Sequence, residues 1–144
     1  MSVLLDVNVL IALVDGQHIN HEAAHDWFGS NARQGWRTCP LTENGLVRII
    51  SHSKYPNGVA SAALGLDLLR RLTELPGHSF WPDDVSLVDS RLFDVQHLLT
   101  SSQITDAYLL GLAVKNGGRL ATFDRRLSNA PVRGGQNALM ILPT

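Results

Sequence analysis

Cysteine is almost missing from this chain: Cys39 is the only one. That excludes an internal disulfide and fits a reducing compartment such as the cytoplasm. Cys39 ends the run Trp36-Arg-Thr-Cys just before Pro40 and reads as a buried core thiol. Long apolar runs are missing as well. The longest, such as Val9–Val14 and Tyr108–Val114, fall well short of the roughly 20 residues that span a bilayer, so no membrane association is expected. The first residues lack the basic region of a secretory signal and place a carboxylate, Asp6, within the opening run. Lysine is scarce, since among 12 basic residues only Lys54 and Lys115 are not arginine. Nor is there an excess of either sign: the net charge is −1, without the overall positive field expected of a nucleic-acid binder. Segregation of acids and arginines can hide beneath such a balance. The arginine excess suits phosphate recognition through the planar guanidinium fork, although plain compositional bias explains it equally well.

What is present is an ordinary globular composition, 44% hydrophobic and 17% charged over 144 residues, enough for one core and a single domain spanning residues 1–144. Val3-Leu4-Leu5 reads as a buried strand ending at Asp6. Asn8 is a candidate cap for the apolar segment Val9–Val14. Asn20–Ala32 has helical spacing, with Ala24, Trp27 and Phe28 on one face. Trp36–Cys39 is a second strand candidate, and a helix is expected from Thr42 to His52. A further amphipathic helix is expected over Val59–Leu75, and a strand over His78–Trp81. Asp83–Leu99 is expected to hold a short strand end and a helix. Ser101-Ser102 offers a cap for Ile104–Lys115, which is apolar almost all round and closes at Asn116-Gly117-Gly118. Arg119–Phe123 and Ala138–Leu142 complete a set of about five strands alternating with helices. That alternation predicts an α/β fold with a central, mostly parallel sheet flanked by helices.

In such a sheet, ligands bind beyond the carboxyl ends of the strands. Asp6 and Asp124 follow strand ends, while Glu43 and Asp106 fall in the first turns of expected helices. If those helices begin on the same edge, four carboxylates share one cleft. Their mutual repulsion calls for a divalent cation, and oxygen-only ligation favours Mg2+ or Mn2+. Such a centre serves phosphodiester hydrolysis. Asn8, Thr42, Thr105 and Thr122 lie within two residues of an acid and are expected to bond the carboxylates. Each acid has a plainer explanation too, since Glu43 and Asp106 also suit helix N-termini and Asp6 and Asp124 suit turns.

Four segments resemble the motifs of the PIN-domain ribonucleases, in the form seen in VapC toxins. They are Leu4-Leu5-Asp6-Val7-Asn8-Val9-Leu10, Pro40-Leu41-Thr42-Glu43-Asn44-Gly45-Leu46-Val47-Arg48, Ile104-Thr105-Asp106-Ala107-Tyr108-Leu109 and Leu120-Ala121-Thr122-Phe123-Asp124-Arg125-Arg126-Leu127. The segment from His18 to Trp27 is similar to the second helix of such toxins. The resemblance covers nearly the whole chain, in order. It implies a single PIN domain and a Mg2+- or Mn2+-dependent endoribonuclease whose metal-binding, catalytic acids are Asp6, Glu43, Asp106 and Asp124. It also implies an RNA substrate such as tRNA or rRNA, a cognate antitoxin and a homodimer.

A non-catalytic RNA- or protein-binding PIN module is the alternative. A more remote one is a zinc metalloprotease, because His21-Glu22-Ala23-Ala24-His25 matches H-E-x-x-H. That reading leaves the aspartates without a role. Arg48, His52, Arg125 and Arg126 are candidate RNA phosphate contacts. Trp27, Trp36 and Trp81 read as core or dimer-interface residues.

Overall fold

In the computed structural model, which describes residues 1–144, the run Val3–Leu5 forms a wholly buried strand, β1. With it stand β2 (Trp36–Thr38), β3 (His78–Phe80), β4 (Arg119–Thr122) and β5 (Leu139–Ile141). Their order is β3-β2-β1-β4-β5 and every pair is parallel. The helices are α1 (Val7–Val14), α2 (His21–Asn31), α3 (Pro40–Ile50), α4 (Ala62–Thr73), α5 (Ile104–Lys115) and a single turn, α6 (Gly135–Ala138). Because side chains alternate along a strand, the core divides in two. Val3, Leu5, Trp36 and Ala121 pack with α1 to α4, whereas Leu4 and Leu120 pack with α5. Cys39 is fully buried on the α5 side, and burial pushes its thiol up to about 11, so it is inert at neutral pH. No helix is long and apolar enough to cross a membrane.

Several boundaries differ from the sequence reading, each for a local reason. Asn8 does not cap α1. Asp6 does, accepting from the Val7 N–H at 2.7 Å, which leaves Asn8 inside the helix with its side chain free to work elsewhere. α3 opens at Pro40, whose missing N–H is harmless at that position, and it ends at Ile50, before His52. α4 starts at Ala62 because Ser61 caps it, accepting from Leu64 N at 3.2 Å. Ser101 and Ser102 lie in a 3-10 turn, and Gln103 precedes α5. The helix expected within 83–99 is absent. There Ser86, Asp89 and Asp94 accept from N–H groups two residues ahead, local bonds that compete with a helix. Only a 3-10 turn at Val95–His97 and an isolated bridge between Phe93 and Val132 remain.

The α5 helix is buried on almost every side, and Gly117 at φ +66° ends it as expected. Its interior glycine, Gly111, is required by close approach. A Cβ there would lie 2.4 Å from Phe93 Cζ, and that ring is itself 1% exposed. Gly111→Ala should therefore lower the urea midpoint. Overpacking costs about 1–3 kcal/mol and outweighs the roughly 1 kcal/mol that alanine contributes to helix propensity. A raised midpoint would show that the Phe93 ring moves aside freely.

Candidate active site at the carboxyl edge of the sheet

Asp6 follows β1 directly, and its backbone N–H extends the ladder by donating to Ala121 O of β4 at 2.9 Å. Its side chain is only 7% exposed, which demands hydrogen bonds in return. Oδ1 accepts from Val7 N, and Oδ2 accepts from Thr122 Oγ1 at 2.8 Å. Thr122 is fully buried at the end of β4 and its hydroxyl is saturated. Besides donating to Asp6, it accepts from Asn8 Nδ2 at 3.0 Å and from Asp124 N at 3.1 Å. Asn8 closes the ring by accepting from Phe123 N at 3.1 Å. One threonine hydroxyl thus ties the segments bearing Asp6, Asn8 and Asp124.

Asp106 reaches the same edge from the first turn of α5. Burial raises the Asp6 carboxyl above the usual range against the pull of Thr122 and Val7, and the charge of Asp124 raises it further. Asp106 is pushed up to about 6, by burial first and then by the charges of Asp6 and Asp124. Three aspartates from separate segments therefore share one field. Beside them opens a cleft of about 370 Å³, lined by Asp106, Asp124, Ser102, Gln103, Arg126 and Ser128 among others. The Arg126 guanidinium is nearly free, with Nε 3.8 Å from Asp124 Oδ1.

Glu43 lies in the first turn of α3, but its carboxylate is not among the charges that raise Asp6 and Asp106. Its Oε2 accepts from Thr38 Oγ1 at 2.6 Å, and Thr38 is 2.8 Å from His78 Nε2. No three carboxylate, imidazole or thiol groups anywhere in the chain already close on a single point. Of the polar neighbours expected beside the acids, Asn8 and Thr122 are in place. Thr42 instead bonds the N–H and C=O of Cys39, and Thr105 is exposed.

Sequence reasoning missed Thr38, His78 and Asp83, whose Oδ2 accepts from Leu41 N at the start of α3. The available signals were a polar residue ending a buried strand and an acid just past Pro82. Arg48 and His52 are both exposed, but they do not share a helix, since His52 lies in the turn after α3 and accepts from Lys54 N. Arg125 is exposed and donates to Thr144 Oγ1 at 3.1 Å. Trp36 is fully buried, and Trp27 and Trp81 are partly so, packed against the two halves of the core. The H-E-x-x-H histidines are engaged elsewhere: His21 Nδ1 is 2.7 Å from Ala12 O and His25 Nε2 is 2.9 Å from Leu13 O, both at the end of α1.

Comparison with known proteins agrees with this fold. The PIN domain family model matches residues 3–132. Ribonuclease VapC44 of Mycobacterium tuberculosis is 46% identical over 134 residues, which is 93% of this chain and 94% of that one. Ribonuclease VapC39 of the same organism is 42% identical over 134 residues, covering 93% of this chain and 96% of the relative. Among solved structures, the fold resembles M. tuberculosis VapC20, a toxin that cleaves the sarcin-ricin loop. The TM-score is 0.62 at 11% identity, over 86% of this chain and 91% of that one. It also resembles VapBC2 from Rickettsia felis bound to promoter DNA, with TM-score 0.58 and 10% identity over 88% and 90% of the two chains. With this sheet order, this edge of aspartates and relatives of this identity along almost its whole length, the chain belongs to the PIN-domain family, in its VapC toxin branch.

Proposed function

We propose that this chain is the toxin of a toxin–antitoxin pair and a metal-dependent endoribonuclease, hydrolysing phosphodiester bonds in RNA such as tRNA or rRNA and so stopping translation. The observation that carries the reading is the gathering of Asp6, Asp106 and Asp124 at one sheet edge, with the proton affinities of Asp6 and Asp106 raised by burial and by charge of the same sign. The donor set is made of oxygen alone, which suits Mg2+ or Mn2+. Asp6 fits in detail, since Oδ1 spends one lone pair on Val7 and keeps another, while Oδ2 accepts from Thr122 and, at 3.5 Å, from Asn8 Nδ2. Held by Asp6, Asp106, Asp124 and Glu43, the cation would supply positive charge against the scissile phosphate and acidify a water molecule.

The chain's own groups supply the rest. Thr122 and Asn8 hold Asp6 in one rotamer. Arg126 at the cleft, with Arg125 beside it, offers bidentate donors to phosphate oxygens, and Arg48 and His52 extend this contact. A cognate antitoxin, homodimerisation and action in the cytoplasm complete the reading, and the R. felis neighbour, a VapBC pair, supports the first of these.

Purified, antitoxin-free protein should cut total cellular RNA into discrete fragments with Mn2+ or Mg2+ and none with EDTA. Asp6→Asn and Asp106→Asn should each lower the rate on the order of 100-fold or more while circular dichroism stays unchanged. Folded protein that binds RNA yet cleaves none with either ion would turn the reading to a non-catalytic PIN module.

Asp106 titrates near 6 in the fold against an ordinary 3.8. Between those values the unfolded chain has lost the proton that the fold retains, so stability falls as pH rises through the window and stays reduced above it. Asp106→Asn removes this burden. At about pH 7.5 the metal-free variant should melt a few degrees above wild type, roughly 1 kcal/mol after solvent screening. The gain should shrink as pH falls through the window and vanish below about pH 3, where Asp106 is neutral in the folded and the unfolded chain alike. A variant that melts lower at the higher pH would show that the carboxylates do not strain the fold.

A further inference from the structure

The Glu43 carboxylate is fixed from the edge of the sheet. Thr38 Oγ1, on β2, stands 2.6 Å from Glu43 Oε2 and 2.8 Å from His78 Nε2, on β3. A hydroxyl has one proton to give and two lone pairs. With its proton given to Glu43, Thr38 can only accept from the imidazole, so His78 carries its hydrogen on Nε2 and, in the neutral ring, none on Nδ1. Burial lowers the His78 pKa, Arg37 adds to that and Glu43 opposes it.

The ring is itself held. It packs against Trp36 at a centroid separation of 4.6 Å, and Trp36 is fully buried, its indole N–H donating to Pro76 O at 3.1 Å. The strand register sets Trp36 opposite His78 and Thr38 opposite Phe80, so the imidazole reaches one alternate residue along β2 to Thr38. Thr38 is fully buried too. The start of α3 does not need this pair, because Thr42 Oγ1 already accepts from Cys39 N and Asp83 already accepts from Leu41 N. The Thr38 proton goes to the Glu43 carboxylate alone.

We propose that His78 and Thr38 are positioning residues for Glu43, forming a relay from His78 Nε2–H to Thr38 Oγ1 and from Thr38 O–H to Glu43 Oε2. The relay fixes the carboxylate rotamer and leaves Oε1 as the oxygen available to the substrate and its cation. Its catalytic consequence rests on the nuclease reading, but its geometry does not.

The test therefore has two arms. Long-range 1H–15N spectra of the metal-free protein should show the His78 ring as the Nε2–H tautomer. Thr38→Val should disturb that signal and Thr38→Ser should restore it. In RNA cleavage, Thr38→Val and His78→Phe should each lower kcat about 10-fold or more with KM little changed. Thr38→Ser and His78→Gln, which keep a hydroxyl and an N–H donor, should retain most of the rate. A wild-type Nδ1–H tautomer overturns the relay. So does a folded Thr38→Val of full activity alongside an impaired Glu43→Gln. If wild-type protein cleaves nothing, or Asp6→Asn cleaves normally, the nuclease reading fails, and the spectra still decide the relay.

Discussion

The hydroxyl of Thr122 is the joint on which the acidic edge depends. It is fully buried, and its one proton and both lone pairs are committed to Asp6, Asn8 and the backbone of Asp124. A carboxylate as enclosed as Asp6 would otherwise be costly to keep ionised. Its charge is met by a hydroxyl and a helix N-terminal amide, which keep it rigid without neutralising it. The same bonds join the end of β1 to the end of β4, two strands paired along their length. The polar network therefore continues the backbone ladder past the last strand residues, and the aspartates inherit the rigidity of the sheet.

Asp106 is placed by different means. It makes no anchoring hydrogen bond. The apolar body of α5 is gripped all round, with Phe93 pressed onto Gly111, so the helix cannot rotate and its first turn is aimed by packing. Packing of this kind brings a carboxylate toward two others without relieving the repulsion. The resulting strain is stored at the site and supported by the core behind it. Carboxylates gathered in this way are a place where the fold works against itself.

Much of this was legible in the sequence because it depends on neighbours in the chain. The apolar strand before Asp6, the all-apolar helix after Asp106 and the strand before Asp124 announce themselves through periodicity and end signals. So the parallel sheet and the positions of the acids could be read directly. The partners of Glu43 could not. Thr38 is near Glu43 in the chain, but His78 reaches Thr38 only because β3 lies beside β2, a fact of strand order that no local pattern carries. Asn8 misled for a related reason: it has the chemistry of a cap, but Asp6, two residues earlier, took that role and freed it for Thr122. The 83–99 segment has enough apolar residues for a helix. Val85, Leu87, Leu92, Phe93 and Leu98 serve as scattered contacts to the α5 side of the core, while the segment's serines and aspartates fold the backbone into turns.

The H-E-x-x-H match is instructive in the same way. A short helix such as α1, buried along most of its length, ends with carbonyls that have no partner of their own. A carbonyl only accepts, so His21 at Ala12 and His25 at Leu13 must each present an N–H. One turn of α2 places the two rings 4.3 Å apart, side by side on that end. Spacing of i and i+4 is what a zinc helix needs, and it is equally what capping two successive carbonyls of a neighbouring helix needs. The capping matters to the acidic edge, because α1 begins at Asp6: fixing its far end against α2 keeps its first turn, and the carboxylate that caps it, in register with β4.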